Sequence, residues 1–153
     1  MSYIFPQKIK INREEDYHTH YIGEFNNGDL FFAYQTFNFD KPYNEIPKDE
    51  KMNHRSEYIS VYIFNKNGKF KNAIIKYLGK ASDLNGQSQK NTIESILQEI
   101  DKYVFKDIEV EPFSISFNGI IFGLIPEPET ESIVLQPMST IAFYEPWDGE
   151  YDT

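Results

Sequence analysis

Apolar and polar residues alternate along most of the chain, and turn-forming residues interrupt the alternation at intervals. A period of two is typical of strands, whose successive side chains point to opposite faces of a sheet. Asn26-Asn27-Gly28-Asp29, Asn65-Lys66-Asn67-Gly68 and Asn118-Gly119 favour tight turns, because Asn and Gly adopt positive φ at low cost. The pattern predicts antiparallel hairpins with strands at 17–25, 30–37, 57–64, 69–78, 107–111, 120–125, 132–136 and 139–144.

One segment has a helical period instead. From about Thr92 to Val104, apolar residues recur on one face: Ile93, Ile96, Leu97, Ile100 and Tyr103. Asn91 followed by Glu94 predicts a capping box at the start of this helix. A helix with one apolar stripe has to bury that stripe on a sheet. The predicted fold class is therefore α+β: a mainly antiparallel, hairpin-built sheet with one helix (about 92–104) packed on one face.

The length of 153 residues predicts a single globular domain, 1–153. Within it we expect a long polar loop at 38–56, which is either mobile or functional, and a second loop at 79–90. The segment 145–153 is expected to form an acidic aromatic tail.

Strand 57–64 is apolar on both faces, with Ile59, Val61 and Ile63 on one side and Tyr58, Tyr62 and Phe64 on the other. Such a strand is either sandwiched between two layers or uses one face for binding. At Pro112 the apolar parity of the chain changes, which predicts a bulge or a strand edge there.

The charge is distributed unevenly. Residues 1–90 hold 13 basic and 11 acidic side chains, whereas residues 91–153 hold 2 and 13, and the net charge is −9. This asymmetry predicts a partner with a basic protein surface and disfavours direct nucleic-acid binding, because phosphate neutralisation supplies most of that affinity. It is also compatible with a homo-oligomer, in which the basic part of one copy meets the acidic part of another.

Acidic side chains cluster at two places that we predict to bind the partner. Three carboxylates alternate along strand 107–111 and so share one face; others surround the single tryptophan in the tail. The predicted partner-binding residues are Asp107, Glu109, Glu111, Glu145, Trp147, Asp148, Glu150 and Tyr151. The alternatives are a solvated edge strand and a tryptophan that holds the tail against the sheet.

The sequence contains no motif for catalysis. His18 and His20, spaced to share one face of a strand, are a weak metal candidate, because a metal site needs at least three ligands. The chain has no cysteine, which excludes thiol chemistry and disulfides, and no Walker, Rossmann, Gly-x-Ser-x-Gly or HExxH pattern. We therefore expect no catalytic residues, no metal and no cofactor.

The expected cellular location is inferred from targeting signals that the sequence lacks. No apolar run approaches the roughly 20 residues of a membrane span, and the N-terminal residues lack a basic-then-apolar signal pattern. We therefore expect a cytoplasmic protein with no membrane contact.

Several segments together resemble a known family. They are Tyr17-His-Thr-His-Tyr-Ile-Gly23, Phe31-Phe-Ala-Tyr-Gln-Thr-Phe37, Arg55-Ser-Glu-Tyr58, Phe122-Gly-Leu-Ile-Pro126, Leu135-Gln-Pro and Pro146-Trp-Asp-Gly-Glu-Tyr151. Taken together, they resemble small bacterial proteins labelled formate hydrogenlyase regulatory proteins of the HycA type. The resemblance implies a cytoplasmic regulator that represses hydrogenlyase operons without a catalytic centre.

Three functions are compatible with these observations. The first is a non-enzymatic regulatory or adaptor protein that binds a partner through the acidic C-terminal surface. The second is an immunity-type inhibitor that neutralises a basic toxin. The third is a small-ligand binder or enzyme that uses a pocket on the aromatic sheet face.

Overall fold

The computed structural model of the chain describes residues 3–84, 87 and 89–153. Within them the structure has eleven strands. They are β1 (Ile9–Ile11), β2 (Tyr21–Phe25), β3 (Leu30–Phe39), β4 (Arg55–Phe64), β5 (Phe70–Lys80), β6 (Tyr103–Phe105), β7 (Ile108–Val110), β8 (Phe113–Phe117), β9 (Ile120–Glu127), β10 (Ser132–Gln136) and β11 (Ala142–Phe143).

These strands form three antiparallel sheets. The largest has the order β5-β4-β3-β2-β6, a second has the order β11-β10-β9-β8, and β1 pairs with β7. The three predicted turns join β2 to β3, β4 to β5 and β8 to β9, because the Asn and Gly residues there supply the required backbone conformations. The fold is thus mostly antiparallel sheet with a few short helices, which is compatible with the predicted α+β class.

The helices are α1 (Ala81–Leu84), α2 (Lys90–Ile100) and two 3₁₀ helices, Tyr43–Glu45 and Lys48–His54. The predicted helix, 92–104, was wrong at its C-terminal end. Asp101 is already extended and its N–H closes the last turn on Leu97, so that Tyr103–Phe105 can pair with β2 as an edge strand. The capping box was also wrong, since the residue before α2 is Gln89 and no side chain caps the helix.

The predicted loops are shorter than expected. Strand β3 extends to Phe39 and β4 begins at Arg55, so the predicted loop 38–56 is reduced to 40–54, most of it in the two 3₁₀ helices. Asp40 holds this segment to the sheet, because its carboxylate accepts from Lys80 at 2.8 Å and contacts His54 at 2.7 Å. Of the predicted loop 79–90, Asn85, Gly86 and Ser88 lie outside the described residues.

Strand β4 lies between two apolar clusters, as one of the two readings of its sequence predicted. Tyr58, Tyr62 and Phe64 belong to a cluster with residues of β1, β7, β9, β10 and β11, and Phe113 of β8 stacks on Phe70 at 4.4 Å. The side chains on the other face of β4 pack with Ile93 and Leu97 of α2. The parity change at Pro112 marks the point where the chain leaves one sheet for another.

Candidate functional site: an acidic surface around the C-terminal tail

Asp107, Glu109 and Glu111, which we call the acidic row, lie on the solvent side of the segment that contains β7, as the alternation predicts. Asp107 and Glu109 are exposed and Glu111 is partly exposed, whereas the intervening Ile108 and Val110 are buried in the core. The residues around the acidic row are not all negatively charged. Glu109 lies directly opposite Lys10 of β1, an exposed residue of opposite charge.

A short segment, Asn12–Arg13, connects Asp107 to the tail. The backbone N–H of Arg13 donates to Oδ1 of Asp107 at 2.7 Å. The N–H of Asn12 donates to the carbonyl of Gly149 at 3.1 Å, and its side-chain amide donates to the carbonyl of Asp148 at 3.2 Å. The same amide lies 3.4 Å from a carboxylate oxygen of Glu150.

The carboxylates of Asp107 and Glu150 therefore contact adjacent residues of this segment, although about forty residues separate them in sequence. The sequence predicted no role in this site for Asn12 or Arg13. No local pattern marks them, because their role depends on contacts with distant segments.

The tail is folded against the body of the protein. Asp152 exchanges two backbone hydrogen bonds with Ala142, of 2.9 and 3.0 Å. Trp147 is partly buried with its ring 6.4 Å from that of Phe5, and Tyr151 is partly buried with its ring 5.7 Å from that of Phe143. Part of each ring is therefore buried in contacts within the chain, and the role of both rings in partner binding stays a prediction.

Tyrosine hydroxyls lie among the carboxylates of the tail. Tyr3 donates to Glu145 at 2.5 Å, and this hydrogen bond, followed by burial and the charge of Glu145, raises the Tyr3 pKa. The nearby carboxylate of Asp152 is the main cause of the raised pKa of Tyr144, to which the negative charge of Asp148 also contributes. In both cases a neighbouring carboxylate opposes ionisation of the tyrosine hydroxyl.

We call the set Asp107, Glu145, Asp148, Glu150 and Asp152 the acidic surface. Its members are exposed. Asp107, Asp148 and Glu150 contact Asn12–Arg13, Asp148 and Asp152 both act on Tyr144, and Glu145 accepts from Tyr3. Two other predicted partner-binding residues, Glu109 and Glu111, lie further along the same segment and are not part of this set.

The two histidines do not form the arrangement expected from their spacing. Strand β2 begins only at Tyr21, so His18 and His20 lie in turns and do not share a strand face. Burial lowers the pKa of His18, and Nδ1 of His20 contacts the carbonyl of Glu15. In the described part of the chain, no three His, Cys, Asp or Glu side chains are grouped so that they could hold a metal ion.

A buried carboxylate on β4 was not predicted from the sequence. Glu57 is only 7% exposed and lines a cleft of about 390 Å³ with Gln35 and Arg55. The period-two pattern assigns Glu57 to a face of the strand but does not show that helices cover that face.

No helix in the described ranges combines the length and the apolar character needed to cross a bilayer. No family model, curated protein or solved structure gives a significant match to the chain. Its function is therefore inferred from the chemistry of its own residues.

Proposed function

We propose that the protein is a non-enzymatic regulatory or adaptor protein that binds the basic surface of a partner protein through the acidic surface. The observation that carries this proposal is the gathering of Asp107, Asp148 and Glu150 around Asn12–Arg13. A folded, negatively charged surface suits electrostatic steering of a basic partner, because its carboxylates are already in place before the encounter.

The ion pairs among the described residues lie outside the acidic surface. Lysines and arginines pair with carboxylates of the large sheet and its loops, for example Lys71 with Asp29 and Lys106 with Glu24. Among the described residues, none of the five carboxylates of the acidic surface is in an ion pair. Two such charges about 7 Å apart repel by about 0.6 kcal/mol in water, and a basic partner would relieve this repulsion.

The resemblance to HycA-type regulators suggests a role in the control of hydrogenlyase genes. With a net charge of −9, direct contact with DNA is unfavourable. We therefore propose that any such control acts through a protein partner, in the cytoplasm.

Affinity capture from native lysate tests the proposal with matched charge variants. The test variant is Asp148→Asn, Glu150→Gln and Asp152→Asn; the control is Glu45→Gln, Asp49→Asn and Glu50→Gln. Both remove three exposed carboxylates, but the control does so in the 3₁₀-helical segment 43–54. We expect the tail variant to lose the captured protein and the control to retain it, with unchanged circular dichroism for both.

The salt dependence of binding provides the second test. Association with the captured partner should slow steeply between low and physiological salt, because exposed charges are screened over about 8–10 Å under these conditions. The single tryptophan, Trp147, lies within the tail and supplies a fluorescence signal for the measurement. A salt-independent rate, or equal capture by both variants, would remove the acidic surface from the binding site.

A further inference from the structure

A cleft opens on the face of the large sheet opposite the four-stranded sheet. Its floor is formed by Gln35 of β3 and Glu57 of β4, and its walls include Met52 of the second 3₁₀ helix and Ala81 and Leu84 of α1. The volume, about 390 Å³, lies within the roughly 300–1,000 Å³ of small-molecule sites. Apolar side chains with a few polar groups that orient the ligand are the usual lining of such sites.

The carboxylate of Glu57 has few hydrogen bonds for a group so deeply buried. Its side chain is 9% exposed, and its Oε2 accepts from Nε of Arg55 at 3.3 Å. In the part of the chain that the structure describes, no other hydrogen bond reaches this carboxylate. A buried carboxylate normally accepts several hydrogen bonds, so a donor that enters the cleft would be stabilised there.

Arg55 presents unused donors beside this carboxylate. Its guanidinium carbon lies 3.6 Å from the ring centroid of Phe37, so the aromatic ring covers one face of the cation. Only Nε is engaged with Glu57, and the two terminal nitrogens form no hydrogen bond with any described residue. A guanidinium held in this way offers a planar edge that matches a carboxylate.

Gln35 completes the polar floor. Its register partner is Ile59, and Glu57 lies opposite Phe37, one step further along the same face of the sheet. The Gln35 amide forms no hydrogen bond with the residues that the structure describes, so both its donor and its acceptor are available.

We propose that this cleft binds a free α-amino acid with an unbranched or γ-branched aliphatic side chain. The ammonium group of the ligand donates to Glu57, its carboxylate accepts from the terminal nitrogens of Arg55, and its side chain lies against Met52 and Leu84. A zwitterion suits the site because Arg55 and Glu57 together carry no net charge, and each keeps hydrogen-bonding groups that the single bond between them does not use. The site is separate from the acidic surface and does not depend on the function proposed for it.

Isothermal calorimetry with matched ligands tests the proposal. L-Leucine and L-methionine should give saturable binding and raise the melting temperature of the protein. Isoamylamine, which keeps only the ammonium group, and isocaproate, which keeps only the carboxylate, should bind roughly tenfold to a hundredfold more weakly, because each leaves one charged group of the cleft without its partner.

Substitutions inside and outside the cleft test whether leucine binds there. Glu57→Gln keeps the shape of the side chain and removes its charge, and should weaken leucine binding by a similar factor of roughly tenfold to a hundredfold. Met52→Trp, at a 48% exposed position on the cleft wall, should block entry without disturbing the core. Glu129→Gln, at an exposed position in the turn between β9 and β10, is the control and should bind leucine like the unmodified chain.

Three outcomes would overturn the proposal. They are no saturable heat with either amino acid at millimolar concentration, equal affinity for isoamylamine and leucine, and unchanged leucine binding in Met52→Trp. If Glu57→Gln does not fold, Met52→Trp alone decides, because that substitution leaves every polar group of the cleft in place.

Discussion

Asp107 accepts a hydrogen bond of 2.7 Å from the backbone N–H of Arg13, a residue 94 positions earlier in the chain. The side chain of Arg13 is fixed as well: its Nε donates to the carbonyl of His20 at 2.7 Å, and its guanidinium carbon lies 4.2 Å from the ring centroid of Phe105. Asp107 therefore differs from Glu109, its neighbour in the acidic row, whose side chain forms no hydrogen bond within the described residues.

This difference predicts unequal effects on stability. Asp107→Ala should lower the free energy of unfolding by about 1 kcal/mol, because the N–H of Arg13 loses a charged acceptor. Glu109→Ala, at an exposed position, should change it by less than about 0.5 kcal/mol. Urea denaturation of the two variants measures the contrast. Equal losses would mean that the hydrogen bond to Arg13 contributes nothing to folding.

The hairpins of this fold are predictable because their signals are local. Asn-Gly pairs determine where the chain reverses, and alternation assigns each side chain of β4 to a face. The exposed row on β7 follows from the same rule. The end of α2 is not predictable in this way, because Tyr103 continues the apolar stripe and yet belongs to an edge strand that pairs with β2.

The candidate sites depend on contacts between segments that are far apart in sequence. The tail meets Asn12–Arg13 across more than 130 positions, and nothing local marks either partner. The cleft is similar, since burial of Glu57 requires α1 and the second 3₁₀ helix to lie beside β4, and the sequence predicted a loop at both places.

A buried hydroxyl links the tail to the segment before β2. Thr19 is fully buried; its Oγ1 accepts from the N–H of Glu14 at 2.9 Å and donates to the carbonyl of Asn12 at 2.8 Å. Because its single proton is used, the hydroxyl of Tyr151, 3.1 Å away, must donate to Thr19.

Thr19→Val should therefore lower the free energy of unfolding by about 2–3 kcal/mol, because three polar groups lose their partner. Thr19→Ser is the control: it keeps the hydroxyl, removes one buried methyl group and should lose about 1 kcal/mol. Amide hydrogen exchange at Asp152 should quicken in Thr19→Val only. The network would be unimportant for the tail if the two variants exchanged alike.

Gly23 allows the edge strand β6 to approach β2. A Cβ at this position would lie 2.0 Å from the carbonyl oxygen of Val104, which is backbone and cannot move without breaking the pairing of the two strands. We expect Gly23→Ala to lower the free energy of unfolding by about 1–3 kcal/mol and to increase amide exchange in Tyr103–Phe105. Wild-type exchange rates in this strand would show that β6 tolerates the side chain.

The raised pKa values of two tyrosines predict that the protein loses stability at high pH. Burial raises the pKa of Tyr62 to about 12, and burial together with a hydrogen bond to Glu94 raises the pKa of Tyr21 to about 12. Their ordinary value is 10.0. Below about pH 10 both groups are neutral in the folded and the unfolded chain, so their contribution is fully present.

Between pH 10 and 12 the unfolded chain loses these protons while the folded chain keeps them, so the free energy of unfolding falls as the pH rises. For Tyr62 alone the loss should reach about 2–3 kcal/mol near pH 12. Tyr62→Phe should therefore make the fall less steep by up to about 1.4 kcal/mol per pH unit, in addition to any constant offset seen at neutral pH. Urea unfolding at a series of pH values separates the slope from the offset, and an unchanged slope would show that Tyr62 ionises as readily in the folded chain as in the unfolded one.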